Sequence, residues 1–223
     1  MITPLRLLSE TPIMDGVDFL IEEKSKDKPS VMYITGPYIV AEEVNKNNRL
    51  YPLEETVKEV ERYTKEIINS HRALGELEHP ASASINSERA CHLITELKRD
   101  GNVFIGKSRV LSSPMGLIVR SLVLDGVKLG MSTRALGKLN EDKGFNRVSG
   151  LRLVTVDCVA DPSANAFVDG ILESKQYVLK EDGSLEEYYD KFEKAISTLP
   201  RKDIDAYLRA QFTDFINKLG KKS

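Results

Sequence analysis

An α+β fold is predicted by three features of the sequence. Segments rich in β-branched and aromatic residues, such as "VMYITGPYIVAEE" (31–43) and "FNRVSGLRLVTVDCVADP" (145–162), read as strands. Between them stand stretches whose apolar residues recur at helical spacing. The two kinds follow one another without the regular strand–helix–strand succession of a parallel α/β sheet.

Taken in order, residues 31–43 form strand material broken by Gly36–Pro37. In "PLEETVKEVERYTKEIIN" (52–69), Leu53, Val57, Val60, Thr64 and Ile67 mark one helical face, and Pro52 with Glu54 and Glu55 suits a first turn. "RALGELEHPASAS" (72–84) is short and turn-rich. "SERACHLITELKRDG" (87–101) repeats the helical logic, with Ser87 as N-cap, Ala90, Ile94 and Leu97 inward and Gly101 as the stop. "NVFIGKSRVL" (102–111) alternates as a strand. "SPMGLIVRSLVLDG" (113–126) opens a helix at Ser113–Pro114. The apolar run "LVLDGVKL" (122–129) leads directly into "GMSTRALG" (130–137), so Ser132 reads as a serine shown at a strand end. After about residue 173 the composition shifts: "ILESKQYVLKEDGS" (171–184) is linker-like, and two amphipathic helices, 184–199 and 202–219, flank Pro200. The division expected is a domain over 1–173 and a helical C-terminal tail over 174–223.

Composition narrows the class. The 223 residues suit one ordinary domain and a small appendage. With 32 Lys plus Arg against 34 Asp plus Glu, the formal net charge of -2 gives no overall field toward nucleic acid. No apolar stretch reaches the roughly 18–20 residues of a membrane span, and "MITPLRLLSETP" is too poor in apolar residues for a signal peptide. Cys91 and Cys158 make no disulfide framework and lack metal-ligand spacing, so no metal site is expected and a reducing compartment is.

Three histidines can be weighed one by one. His71 ends a helix, where a polar cap is unremarkable, and His92 falls on the flank of the 87–101 helix. His79, in "GELEHP", sits in a short extended segment restrained by Pro80. A neutral histidine can take the proton of a serine hydroxyl and return it, which makes His79 a candidate base for Ser132. Its other ring nitrogen needs an acceptor. Asp157, a carboxylate among apolar strand residues, is one candidate and Asp161 the other; Ser163 and the Ser112–Ser113 pair compete as nucleophiles, and Thr133 adjoins Ser132. Cys158 or Cys91 would serve a cysteine hydrolase instead.

Four separated motifs, "EEVNKNNRLYP", "ALGELEHP", "GMSTRALG" and "TVDCVADPSAN", occur in the order and at about the spacing of the prohead core proteases of T-even-like tailed phages. The chain resembles that family over roughly residues 30–170. The family is similar to the herpesvirus capsid-maturation proteases, so the resemblance implies a β-barrel core flanked by helices. It also implies a serine endopeptidase acting on phage scaffold and capsid proteins within the immature capsid in the host cytoplasm. No cofactor is required, neither nucleic acid nor membrane is a partner, and a homo-oligomer is compatible with it. Carried over by motif, His79 is the general base and Ser132 the nucleophile; Asp157 stands where herpesvirus relatives have a second histidine. Arg134 and Thr133, with Asn48 and Arg49 of "NKNNRLYP" (Asn45 and Tyr51 beside them), are implied to support substrate or oxyanion, together with amides after the "DCVADPSAN" strand.

Relatives cleave after glutamate with an aliphatic residue two positions earlier. "LSE" (8–10), "LIE" (20–22), "ILE" (171–173) and "LEE" (185–187) fit that pattern here, which marks Glu173, Glu10 and Glu22 as candidate self-cleavage sites. The competing expectation is a non-catalytic capsid assembly or scaffold protein of the same fold.

Overall fold

The computed structural model describes residues 5–10, 17–22, 31–160, 176–179 and 185–188, and over these strand predominates. Strands β1 (Leu5–Glu10), β2 (Asp18–Glu22), β3 (Val31–Val40) and β4 (Arg49–Leu50) precede helix α1 (Leu53–Tyr63). Next come β5 (Leu74–Glu76), β6 (Ala90–Asp100), β7 (Val103–Val110) and helix α2 (Pro114–Leu124), then β8 (Gly130–Asp142), β9 (Phe145–Val159), β10 (Gln176–Leu179) and β11 (Leu185–Tyr188). They sort into a six-stranded sheet of order β11-β10-β1-β8-β9-β4 and a five-stranded sheet of order β2-β3-β7-β6-β5. This is a mixed α+β fold with few helices. The chain divides into two compact units, Met1–Glu186 and Glu187–Ser223, and the candidate site lies in the first.

The main core combines inward residues of both sheets, among them Ile34, Tyr38, Ile94, Phe104, Met131, Val156 and Cys158, with Val60 and Tyr63 of α1 and Val119 of α2. Helix α1 follows its sequence signals: Pro52 leads in with extended backbone, Glu54 and Glu55 occupy the first turn, and Arg62 the last. The helix continues through a wider turn, Thr64–Ile68. Buried Glu59 ties α1 to β9 by accepting from the Leu153 N–H at 2.6 Å, while Arg62 pairs with it at 2.6 Å. Helix α2 starts as expected, the Ser113 hydroxyl accepting from the Gly116 N–H at 3.2 Å.

Several expectations are corrected. Residues 87–101 are not a helix: one 3-10 turn, Ser87–Arg89, gives way to β6, whose first five residues are buried on both faces. A continuous apolar run of that kind carries no periodicity that separates strand from helix, and pairing with β7 decides the matter. Nor do Gly36 and Pro37 break β3; the ladder with β7 absorbs them as an irregularity between Pro37 and Ile39. The linker expected at 171–184 contains β10, which pairs with β1 (Leu5 opposite Tyr177), and the helix expected from 184 is strand at β11. The 202–219 helix lies outside the described residues.

Candidate active site

Ser132 is the third residue of β8. Residues 122–124 of "LVLDGVKL" close helix α2, so the serine stands near the start of a long strand instead of at its end. The ladder with β9 sets Ser132 opposite Asp157 and Arg134 opposite Thr155. Opposed residues share a face and side chains alternate along a strand, so Ser132, Arg134 and Asp157 project from one face of the sheet. All three are fully buried.

The third component arrives from the other sheet. Gly75 of β5 pairs with His92 of β6, and two residues later Leu77 bridges in parallel to Cys158 of β9, so this short segment crosses from one sheet to the other. Only a glycine fits at 75, because a Cβ there would collide with the His92 ring and the Val156 carbonyl. The crossing is fixed by the Glu76 N–H donating to Asp157 Oδ1 at 3.0 Å and the Glu78 N–H donating to the Cys158 carbonyl at 2.8 Å. Glu78 takes a left-handed conformation (φ 64°), which turns the chain so that the next residue, His79, points back over the sheet.

There the His79 ring lies between the other two groups. Nδ1 is 2.8 Å from Asp157 Oδ2, and Nε2 is hydrogen-bonded to Ser132 Oγ. A carboxylate held by Arg134 only accepts, so the ring proton belongs on Nδ1 and Nε2 faces the serine hydroxyl as acceptor. The His79 side chain is 2% exposed. Arg134 completes the group: its Nε lies 3.0 Å from Asp157 Oδ2, Nη2 reaches Asp157 Oδ1 at 3.2 Å and pairs with Glu76, and Nη1 donates to the Ser82 carbonyl at 2.8 Å.

Comparison with known proteins converges on one group. Residues 6–176 match the family of the prohead core protein serine protease. The chain belongs to that family. It is 37% identical over 160 residues to the prohead core protein protease of enterobacteria phage T4, a match covering 68% of this chain and 75% of the relative. The solved structure of the bacteriophage T4 capsid assembly protease superposes with a TM-score of 0.66 at 31% identity, covering 71% of this chain and 99% of that one. The chain is thus a prohead-type peptidase, and the two-sheet architecture is that of its solved relative.

Other residues singled out in the sequence fall elsewhere in this prohead-type fold. Arg134 is buried in ion pairs with Glu76 and Asp157, beside His79. Thr133 faces the core, its hydroxyl donating to the Tyr38 carbonyl at 2.8 Å. Asn48 donates to the Gly144 carbonyl at the β8–β9 turn, and Arg49 is turned to Glu10 at 2.5 Å; neither is brought to Ser132. Asn45 and Tyr51 also bind the Glu10 carboxylate, at 2.5 Å and 2.8 Å. Glu22 ends the edge strand β2. His71 is exposed at a helix end, Ser113 caps α2, and Ser112 is exposed. Cys91 and Cys158 are buried free thiols, as a core role requires. Asp161, Ser163, Glu173 and the amides expected to bind an oxyanion lie outside the described residues. Among the described residues no cluster of three or more His, Cys, Asp or Glu could hold a metal, and no helix is long and apolar enough to cross a membrane.

Sequence reasoning missed two things. Glu76, in "GELEHP", is one: it is fully buried beside exposed Glu78, a difference the local sequence does not mark. Period-two alternation from Ser132 also puts Arg134 on the Ser132 face.

Proposed function

We propose that this chain is a serine endopeptidase in which Ser132 is the nucleophile, His79 the general base and Asp157 the residue that orients it. The observation that carries this reading is the His79 ring between Ser132 Oγ and Asp157 Oδ2. In the first half-reaction the Ser132 proton passes to His79 Nε2 as Oγ bonds the scissile carbonyl carbon. The tetrahedral adduct then collapses, its C–N bond breaks, and the leaving amine takes the proton from His79. Water, deprotonated by the same nitrogen, attacks the ester; the acid product leaves and Ser132 regains its proton. No cofactor enters. Asp157 stabilises the imidazolium formed in each half and fixes the tautomer that can accept.

By family, the substrates are phage scaffold and capsid proteins, and the place of action is the prohead within the host cell. The relatedness to herpesvirus capsid proteases, a protease domain of 1–173 followed by a tail, and oligomerisation belong to the same proposal. So does cleavage after glutamate with an aliphatic residue two positions earlier, including self-cleavage. Glu22 is favoured as a self-cleavage site by its edge strand, where Leu20 is 51% and Ile21 42% exposed. Glu10 is disfavoured, because it is paired with Thr133 of β8 and its carboxylate is engaged. Cleavage after Glu173 would separate the tail.

Intact-mass spectrometry of wild type and Ser132→Ala after incubation at neutral pH tests the proposal. Loss of mass at glutamate sites in the wild type alone is expected. Equal loss in Ser132→Ala would refute self-processing by Ser132, and failure of the wild type to cut a scaffold-derived peptide would refute the peptidase mechanism.

A further inference from the structure

The buried charges around His79 do not cancel in the resting site. Asp157, Glu76 and Arg134 are each fully buried, and Arg134 is ion-paired to both carboxylates. With His79 neutral this group holds two negative charges and one positive. When His79 takes a proton the sum becomes zero. A site containing only Asp157 and Arg134 would already be neutral, and its carboxylate would have much of its attraction for an imidazolium cancelled by the guanidinium beside it.

We propose that Arg134 and Glu76 are positioning residues of the hydrolytic site: Arg134 fixes the Asp157 carboxylate and the loop behind His79, and Glu76 offsets Arg134 so that Asp157 still favours a protonated His79. This rests on the serine–histidine reading above. The geometry supports each half. Arg134 uses its planar fork in three directions, toward Asp157, toward Glu76, and toward the Ser82 and Pro80 carbonyls at 2.8 Å and 3.4 Å, immediately beyond His79. Glu76 is held at both ends: its N–H binds Asp157 Oδ1 at 3.0 Å, and its Oε1 accepts from the Asn86 N–H at 2.8 Å.

Among the described residues, other titratable groups near this site include Tyr63 at the end of α1, Cys91 and His92 of β6, Cys158 of β9, Glu78, and exposed Arg89, whose Nη2 donates to the Leu77 carbonyl at 2.9 Å. Burial pushes the Tyr63 hydroxyl up to about 12 and the His92 ring down to about 4, while contact with Cys158 and burial push the Cys91 thiol up. These three are therefore uncharged at neutral pH. Glu78 is exposed, where water screens its charge. The balance is set by Asp157, Glu76, Arg134 and His79.

The test is the pH dependence of Ser132 labelling by a small fluorophosphonate in the full chain. Glu76→Gln removes the offsetting charge, so the acid limb should move to lower pH by about half a unit or more, with a plateau at least about tenfold slower. Arg134→Lys keeps the charge but one ammonium cannot span both carboxylates and the loop. Its acid limb should stay in place while the rate falls about tenfold. A Glu76→Gln profile that superimposes on wild type, or shifts to higher pH, overturns the proposal. Should Glu76→Gln not fold by thermal melting, a wild-type rate in Arg134→Lys overturns it instead. Absence of labelling at Ser132 in the wild type is a different result, since it removes the serine reading itself.

Discussion

Two buried guanidinium–carboxylate clusters lie on opposite faces of the β1–β8–β9 sheet, and they differ in charge count more than in composition. Glu10 pairs across the ladder with Thr133, so its side chain shares the face of Thr133 and not that of Ser132. It is held by Arg49 at 2.5 Å, Tyr51 at 2.8 Å, Asn45 at 2.5 Å and Asn47 at 2.9 Å. One carboxylate meets one guanidinium there, and neutral donors fill the remaining lone pairs; nothing is left to attract a proton carrier. On the other face a second carboxylate and an imidazole join the pair. The comparison teaches that a closed ion pair locks a fold, whereas one with a charge left over can drive a proton transfer.

The largest expected effect lies on the Ser132 face. Asp157→Asn preserves shape but deprives Nδ1 of its charged partner, so peptide hydrolysis should fall by about 10⁴-fold, with circular dichroism unchanged. Retained activity in that variant would make Asp157 a structural residue like Glu10. Next in size is the reverse experiment. Arg49→Met strands a buried carboxylate, and urea unfolding should show a loss of about 3–5 kcal/mol, while the molecules still folded keep their fluorophosphonate reactivity. A stable Arg49→Met protein with lost reactivity would move Arg49 into the catalytic apparatus and break the contrast between the two faces.

The parts legible in the sequence were those set by local chemistry. Helix α2 was readable from Ser113–Pro114, α1 from its entry proline and first-turn glutamates, and β9 from its run of β-branched residues. His79, Ser132 and Asp157, which the structure brings together, stand out as candidates because a proline-restrained histidine and a carboxylate among apolar residues are unusual locally, and because the motifs resemble a family. What escaped was set by register. Whether "ACHLI" is strand or helix depends on β7 lying beside it, and the roles of Arg134 and Glu76 depend on which side chains share a face across a ladder. Arg49 looked like a substrate contact for the same reason: its partner, Glu10, is 39 residues earlier in sequence. Pairings at that separation leave no local mark.

His92 gives the smallest effect and the one that separates the two faces by pH. It lies against Gly75 and beside the Val156 carbonyl, next to the Asp157 side, and is fully buried. Burial drives it from an ordinary 6.5 down to about 4, against the opposing pull of the Asp157 charge. Above pH 6.5 it is neutral folded and unfolded and contributes no slope. As pH falls from 6.5 toward 4 the unfolded chain takes a proton that the folded chain refuses, so stability must decline. At about 1.4 kcal/mol per pH unit, the decline over that window is about 3 kcal/mol. Glu10 works in the other direction. Burial raises its carboxyl above 4.5 in spite of Arg49, so the folded chain keeps a proton that the unfolded chain has lost, and its contribution falls as pH rises through a window beginning near 4.5. Urea unfolding of wild type and His92→Met between pH 4 and pH 7 distinguishes the two. The variant should be the more acid-resistant, its stability no longer falling by the His92 increment. A parallel pair of curves would mean that His92 is already protonated when folded, with Asp157 as its counter-ion, and the charge count on the Ser132 face would have to be redrawn.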